Sequence, residues 1–195
     1  MKITLLRHAQ TPGNLLSNYI GRTDEPLAPA GIAIAQKAVR DYSVKKVYTS
    51  TLARTVQTAK ILYPNAALCS LPGLNEMDFG LFEGKSWQEL EGDTTYTAWV
   101  ASRCELPCPD GESKEAFTRR CREAFSSIVR ESRTKNIKKL HFVIHGGTIM
   151  AIMSGFALPA RDYFSWKAGF CGGFVIESIL GGEQFSLVEA LESPD

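Results

Sequence analysis

Two of the three histidines in this 195-residue chain stand where phosphorus chemistry can be done. His8 follows the apolar run Lys2 to Leu6 through Arg7, and His145 follows the continuous apolar run Leu140 to Ile144. A neutral imidazole with one bare ring nitrogen is a nucleophile, provided a hydrogen bond at the other nitrogen fixes its tautomer. Small residues come next in each case, Ala9 after His8 and Gly146-Gly147 after His145. There the backbone can approach an anion, and the amides of a following helix can point at it. Arg7 and Arg54 offer planar, charge-assisted hydrogen bonds to phosphoryl oxygens. The acid that a departing alcohol needs is assigned to Glu76, in Leu74-Asn75-Glu76-Met77-Asp78-Phe79-Gly80, with Asp78 as its rival. A carboxyl group beside a phosphate dianion, partly removed from water, holds its proton to higher pH.

The elements that must carry these residues alternate. Lys2 to Leu6 reads as a strand feeding a turn-rich loop with Pro12, Gly13, Gly21 and Pro26. Helical spacing of Ile32, Ile34, Ala35, Ala38, Val39 and Tyr42 predicts a helix from Pro29 to Tyr42, and Lys46 to Thr49 a second strand. Ser50 or Thr51 is expected to cap a helix that Pro64 stops, with a short strand from Ala66 to Leu71. From Gly73 to Gly111 the alternation weakens, which reads as an insertion over the site. Asp110-Gly111-Glu112-Ser113 turns into a long helix to about Arg133. The strand Leu140 to Ile144, a helix from Thr148 to Phe156, and closing strands Gly173 to Ile179 and Gln184 to Ala190, joined as a hairpin through Gly181-Gly182, complete the chain. Strand and helix alternation predicts a three-layer α/β/α sandwich with a mainly parallel sheet, in which ligands bind at the carboxyl ends of the strands. One domain, 1–195, is expected, with a cap-like insertion at about 77–112.

With 22 basic and 21 acidic residues the net charge is +1, which leaves no bulk field to hold nucleic acid or an anionic membrane. Any anion site must come from a few converging side chains. No apolar run reaches the roughly 18 residues of a membrane span, and the first residues hold too short an apolar run for a signal peptide, so a cytoplasmic protein is expected. Five scattered cysteines, Cys69, Cys104, Cys108, Cys121 and Cys171, argue for free thiols. Cys104 and Cys108 lack the second ligand pair of a zinc site. A small phosphorylated molecule is the expected partner, without nucleic acid or membrane, and a homodimer is compatible with the chain.

Five segments in order resemble the histidine phosphatase superfamily, or phosphoglycerate mutase-like family: Leu5-Leu6-Arg7-His8-Ala9-Gln10-Thr11 with Asn14; Gly21 to Leu27 running to Gly31; Tyr48 to Ala59 around Arg54; Asn75 to Gly84 around Glu76; and Val143-Ile144-His145-Gly146-Gly147. The resemblance covers nearly the whole chain. It implies that His8 accepts the phosphoryl group, that Glu76 is the proton donor, and that Arg7, Arg54, His145 and Gly146 form the phosphate pocket, with Asn14 an additional contact. It implies a histidine acid-type phosphatase, a phosphoric monoester hydrolase that works through phosphohistidine and needs no cofactor and no metal. Within the superfamily the chain is most similar to the small phosphatase branch that includes α-ribazole phosphatases, which makes α-ribazole phosphate or a sugar phosphate the expected substrate. The family carries glycine where this chain has Ala9, so one extra methyl group is expected to crowd the backbone against the phosphate. Gln10 stands in place of the commoner glutamate.

Three other readings compete. A mutase would move phosphate between positions of a phosphoglycerate, but the chain is compact between Glu76 and His145 and gives less cover to exclude water. A binding module would keep the pocket without turnover. A metal-dependent hydrolase would use both histidines with Glu76 and Asp78. Asp110 to Ser113 is read equally as a substrate contact and as a turn with helix cap, and Asn14 also reads as a turn cap. Arg22, Arg103 and Trp166 are candidates to face the leaving group. His141 is read as an ordinary strand residue.

Overall fold

A computed structural model describes residues 1–38, 40–179 and 182–194. The elements run β1 (Lys2–Arg7), α1 (Pro12–Leu15), α2 (Pro29–Lys37), β2 (Lys46–Thr49), α3 (Ala53–Leu62), β3 (Ala67–Ser70), α4 (Thr94–Ala101), α5 (Lys114–Thr134), β4 (Lys139–Ile144), α6 (Gly146–Phe156), β5 (Ala157–Leu158), β6 (Gly173–Ser178) and β7 (Phe185–Leu191). Seven strands form one sheet in the order β3-β2-β4-β1-β6-β7-β5. The β1, β2, β3 and β4 pairings are parallel, while β6 runs antiparallel to both β1 and β7. This is the expected mainly parallel α/β sheet.

Side chains of a strand alternate between faces, and both faces here are covered. Ile3, Leu5, Phe142 and Ile144 pack with Phe125 and Ile128 of α5 and Ile149 and Ile152 of α6. Leu6, Val47 and Val143 face the other way, against Ala59 and Leu62 of α3. The expected three layers result. In the β1–β4 register Arg7 lies opposite Ile144, and the His8 N–H continues the ladder to the Ile144 carbonyl at 2.9 Å. Parallel pairing therefore brings His8 and His145 out side by side at the carboxyl edge. No helix among the described residues is long and apolar enough to cross a membrane.

Three local expectations change. Helix α2 ends at Lys37 instead of Tyr42, because Ala38 is already extended and Tyr42 is 54% exposed, so it has no core to face. Val39, which belongs to the same pattern, lies outside the described residues, as does Gly181 of the expected hairpin turn. Neither Ser50 nor Thr51 caps α3. The Ser50 hydroxyl is engaged with His145 and Thr55, and Thr51 is tied to Asn75. The first helical N–H, of Ala53, goes instead to Asp24 Oδ1 at 2.7 Å, from a loop 29 residues earlier. A carboxylate also complements the positive end of the helix dipole. Strand β5 adds to the expected set; two residues are too few to leave a periodic signal.

The segment 77–112 holds one short 3-10 turn, Gly80–Phe82, and α4, and builds a small core of its own. Met77, Phe82, Leu90, Trp99 and Cys108 pack there with Phe117 and Cys121 of α5. Asp24→Ala removes the remote cap of α3 and should lower stability by about 1 kcal/mol. Urea unfolding should show the midpoint falling with an unchanged slope.

Candidate active site

Burial comes first at this edge: Arg54 and His145 are fully buried, and His8 is 4% exposed. The His8 and His145 rings meet edge to face, with centroids 5.0 Å apart. His8 Nδ1 lies 2.7 Å from the carbonyl oxygen of its own neighbour, Ala9. A carbonyl only accepts, so Nδ1 carries the hydrogen and Nε2 is bare. The Ala9 peptide is held in turn, since its N–H donates to Thr58 Oγ1 at 3.0 Å while that hydroxyl donates to the Arg54 carbonyl at 2.7 Å. The Ala9 methyl does not face the anion site. It packs with Leu27, Ala35 and Cys171, which corrects the expected crowding.

His145 has the opposite tautomer. Arg54 Nε donates to its Nδ1 at 3.2 Å, so the ring hydrogen sits on Nε2 and is given to Ser50 Oγ at 2.8 Å. Ser50 Oγ passes its own hydrogen to Thr55 Oγ1, which donates to the Leu52 carbonyl. The Ser50 and Thr55 hydroxyls of this relay are both accounted for. Both nitrogens of His145 are therefore engaged within the protein, so the place in the phosphate pocket that the resemblance implies for it does not come with a free ring donor in this arrangement.

Arg54 differs from expectation in the same way. Nη1 donates to the Thr23 carbonyl at 2.7 Å, and Nη2 to those of Gly21 at 2.6 Å and Ile20 at 3.4 Å. With Nε on His145, one Nη1 hydrogen remains, so Arg54 contributes chiefly its charge. Arg7 is more open. Nη1 binds the Ala168 carbonyl at 2.9 Å, its guanidinium lies 3.8 Å over the Phe170 ring, and Nε is buried without a partner among the described residues. A buried orphan donor beside the first amides of α6 is a feature that an anion would satisfy. Asn14 sits in α1, its Oδ1 taken by the Thr11 N–H in a reciprocal capping box, which is the turn-cap reading.

Glu76 lies between these cations and the start of α6. Its Oε2 accepts from the Gly147 N–H at 2.9 Å and its Oε1 from the Met77 N–H at 3.0 Å. Burial raises its pKa above the ordinary carboxyl value, and the two amides together with the charges of Arg54 and Arg7 only partly oppose this. Both histidines are shifted down, first by burial and then by neighbouring charge: Arg54 for His8, and His8 and Arg54 for His145. Near neutral pH both imidazoles are uncharged. Asp78 stands apart, paired to the outward Arg22 at 3.0 Å, and so is not the equal of Glu76.

Several partners escaped the sequence reading. Glu112 grips Arg120 through both carboxylate oxygens, at 2.9 and 2.7 Å. Arg120 donates to the carbonyls of Asn75 and Glu76 at 2.9 and 3.2 Å, so Glu112 positions the Glu76 loop. Ser50 and Thr58 lie inside the motif around Arg54, where their spacing is the available signal. Phe170 lies in a glycine-rich loop that by its sequence needs no functional reason. Trp166 is fully buried in the main core, while His141 packs against Tyr63 away from the cluster. The five cysteines are free, and no group of three or more His, Cys, Asp or Glu among the described residues is arranged to hold a metal.

At Gly147 an added Cβ would stand 2.2 Å from Glu76 Oε1. Gly147→Ala should therefore expel the carboxyl group from the helix start and cost about 1–3 kcal/mol in stability. A crystal structure with Glu76 unmoved and full stability in urea would contradict this packing.

The histidine phosphatase superfamily (branch 1) model matches residues 3–189. The chain is 30% identical to a Hydrogenobacter thermophilus protein named "Putative phosphoserine phosphatase 2", over 96% of this chain and 93% of that one. It is 29% identical to the adenosylcobalamin/alpha-ribazole phosphatase of Salmonella typhimurium, over 92% and 96% of the two chains. The solved alpha-ribazole phosphatase of Shigella flexneri is 27% identical and superposes with a TM-score of 0.82, covering 99% of this chain and 96% of the other. Motif order, sheet topology and these similarities agree, and the chain belongs to the histidine phosphatase superfamily.

Proposed function

We propose that this enzyme hydrolyses phosphomonoesters of small metabolites through a phosphohistidine on His8. The observation that carries the reading is the Ala9 carbonyl bond to His8 Nδ1, which leaves Nε2 bare inside a cluster of Arg7, Arg54 and His145. In the first displacement Nε2 attacks phosphorus in line as the phosphorus–oxygen bond to the alcohol breaks. Arg7, the first amide of α6 and the remaining Arg54 hydrogen receive the equatorial oxygens, while the buried Arg54 charge offsets developing negative charge. Glu76 gives its proton to the departing oxygen. In the second displacement Glu76, now a carboxylate, takes a proton from water as the water oxygen attacks phosphorus and the phosphorus–nitrogen bond breaks. Inorganic phosphate leaves, and His8 and Glu76 return to their starting forms.

His145 acts on this reading by holding Arg54 and by packing against His8 as a neutral ring. The amide nitrogen of Asn14 has no acceptor among the described residues and is the part of that side chain available to a phosphate. An acid-type histidine phosphatase in a cytoplasmic setting, with α-ribazole phosphate or a sugar phosphate as substrate, is the finer form of the proposal. The free thiols and the names of the relatives support it.

His8→Ala should abolish release of inorganic phosphate and acid-labile labelling by a phosphorylated substrate; wild-type turnover by this variant would refute the mechanism. The active form has His8 neutral and Glu76 protonated. Because the His8 pKa is lowered and that of Glu76 raised, kcat/KM should fall at low pH as His8 gains a proton, and at high pH as Glu76 loses one. Glu76→Gln should remove the alkaline limb and lower kcat by about 10²–10⁴-fold. Comparison with the variant separates this limb from ionisation of the ester itself.

A further inference from the structure

Glu76 stands on a boundary. On one side are His8 and the cations; on the other is a cavity of about 480 Å³ whose wall includes Glu76 itself, with Gly147, Met77, Tyr96, Trp99 and Tyr163. In-line attack places the leaving oxygen opposite His8 Nε2, and proton donation requires that oxygen within hydrogen-bond reach of Glu76. The carbon skeleton of the alcohol must then continue past Glu76, into this cavity.

The wall has a definite chemistry. Trp99 meets Tyr19 and Phe82 with ring centroids 5.8 and 5.5 Å apart, and Tyr96 meets Phe82 at 5.4 Å, so the aromatic lining is interlocked and preformed. The Tyr19 and Tyr96 hydroxyls bond each other at 2.8 Å and the Tyr163 hydroxyl donates to the Gly147 carbonyl at 3.4 Å, while the Trp99 indole N–H is buried without a partner among the described residues and is the one open donor of the aromatic lining. The two cations of the wall are also engaged, Arg103 with Asp162 at 2.8 Å and Lys114 with Glu105. Glu76, committed to proton transfer, is the one carboxylate lining the cavity among the described residues. A small charged alcohol such as serine would find no carboxylate free to pair its ammonium there, and would leave most of the volume unfilled.

We infer that the cavity is a receptor for the alcohol half of the substrate, that the enzyme prefers phosphomonoesters of large, flat, apolar alcohols over those of small charged ones, and that Tyr96, Trp99 and Val100 set this preference. The inference rests on the proposed phosphatase reading. Val100 lies on α4 at the cavity rim and is 47% exposed, so it can be changed without disturbing the small core that Trp99 supports.

The test compares kcat/KM for ethyl, benzyl and 2-naphthylmethyl phosphate and for O-phosphoserine. These are primary alkyl esters, so leaving-group reactivity varies little between them. The rate constant should rise along the first three by about 100-fold in total, with O-phosphoserine near ethyl phosphate. Val100→Glu should cut the naphthylmethyl-to-ethyl ratio about tenfold, and Trp99→Ala should cut it further. Equal values across the series, or a preference for O-phosphoserine, would overturn the receptor while leaving the phosphatase intact. Failure to release phosphate from any ester would instead remove the phosphatase reading. Calorimetry with 2-naphthylmethylphosphonate and methylphosphonate then tests the receptor alone: tighter binding of the naphthyl compound, weakened by Val100→Glu, supports it, and equal binding refutes it.

Discussion

The hydrogen bond from His8 Nδ1 to the Ala9 carbonyl is the contact on which the rest of this site depends, because it decides which nitrogen of His8 is bare. It is not self-supporting. The Ala9 peptide is oriented by the Thr58 hydroxyl, Thr58 is fixed to the Arg54 carbonyl one turn earlier in α3, and α3 is started by a carboxylate from a distant loop. The protonation state of the nucleophile is thus an outcome of how a helix is anchored. The buried methyl of Ala9 adds to that anchor.

Loss of water around the cluster governs its electrostatics. Burial disfavours charge on both histidines, lowering their pKa values, and on Glu76, raising its own, and the arginines push Glu76 back only in part. The same desolvation therefore favours both a neutral nucleophile and a protonated acid in one site, the combination that general acid catalysis with a nitrogen nucleophile requires. Arg54 and His145 have most of their hydrogen-bonding capacity spent within the protein. They act as a rigid charged wall, and the open donors lie on Arg7 and the helix start.

The residues brought together at the sheet edge were legible in the sequence because parallel strands deliver their carboxyl ends to one place. His8 and His145 needed only two apolar runs to be located, and the register then made them neighbours. Their tautomers were not legible: that of His145 is set by Arg54 and Ser50, 91 and 95 positions away, and that of His8 by a neighbouring carbonyl whose peptide is oriented by Thr58, 49 positions from Ala9. For the same reason Arg54 was expected to hold the phosphate with its fork and instead spends it on carbonyls of residues 20–23. Sequence pattern marks an arginine as important without saying which acceptors surround it. The end of α2 was misplaced because Ile32 and Tyr42 continue an apolar period that has nothing to bury against. Arg120 carries no signal short of the fold, and Glu112, marked only as part of a turn or substrate contact before Ser113, could not be tied to the loop of the acid until Arg120 was placed beside it.

Opposite tautomers in two touching imidazoles are what the chemistry of this site requires above all. Long-range 15N–1H correlation of the 15N-labelled protein near neutral pH reads them directly, with three histidines to assign. The prediction is a neutral His8 protonated on Nδ1 and a neutral His145 protonated on Nε2, neither titrating near the ordinary histidine pKa. A His8 protonated on Nε2, or charged at neutral pH, would contradict it.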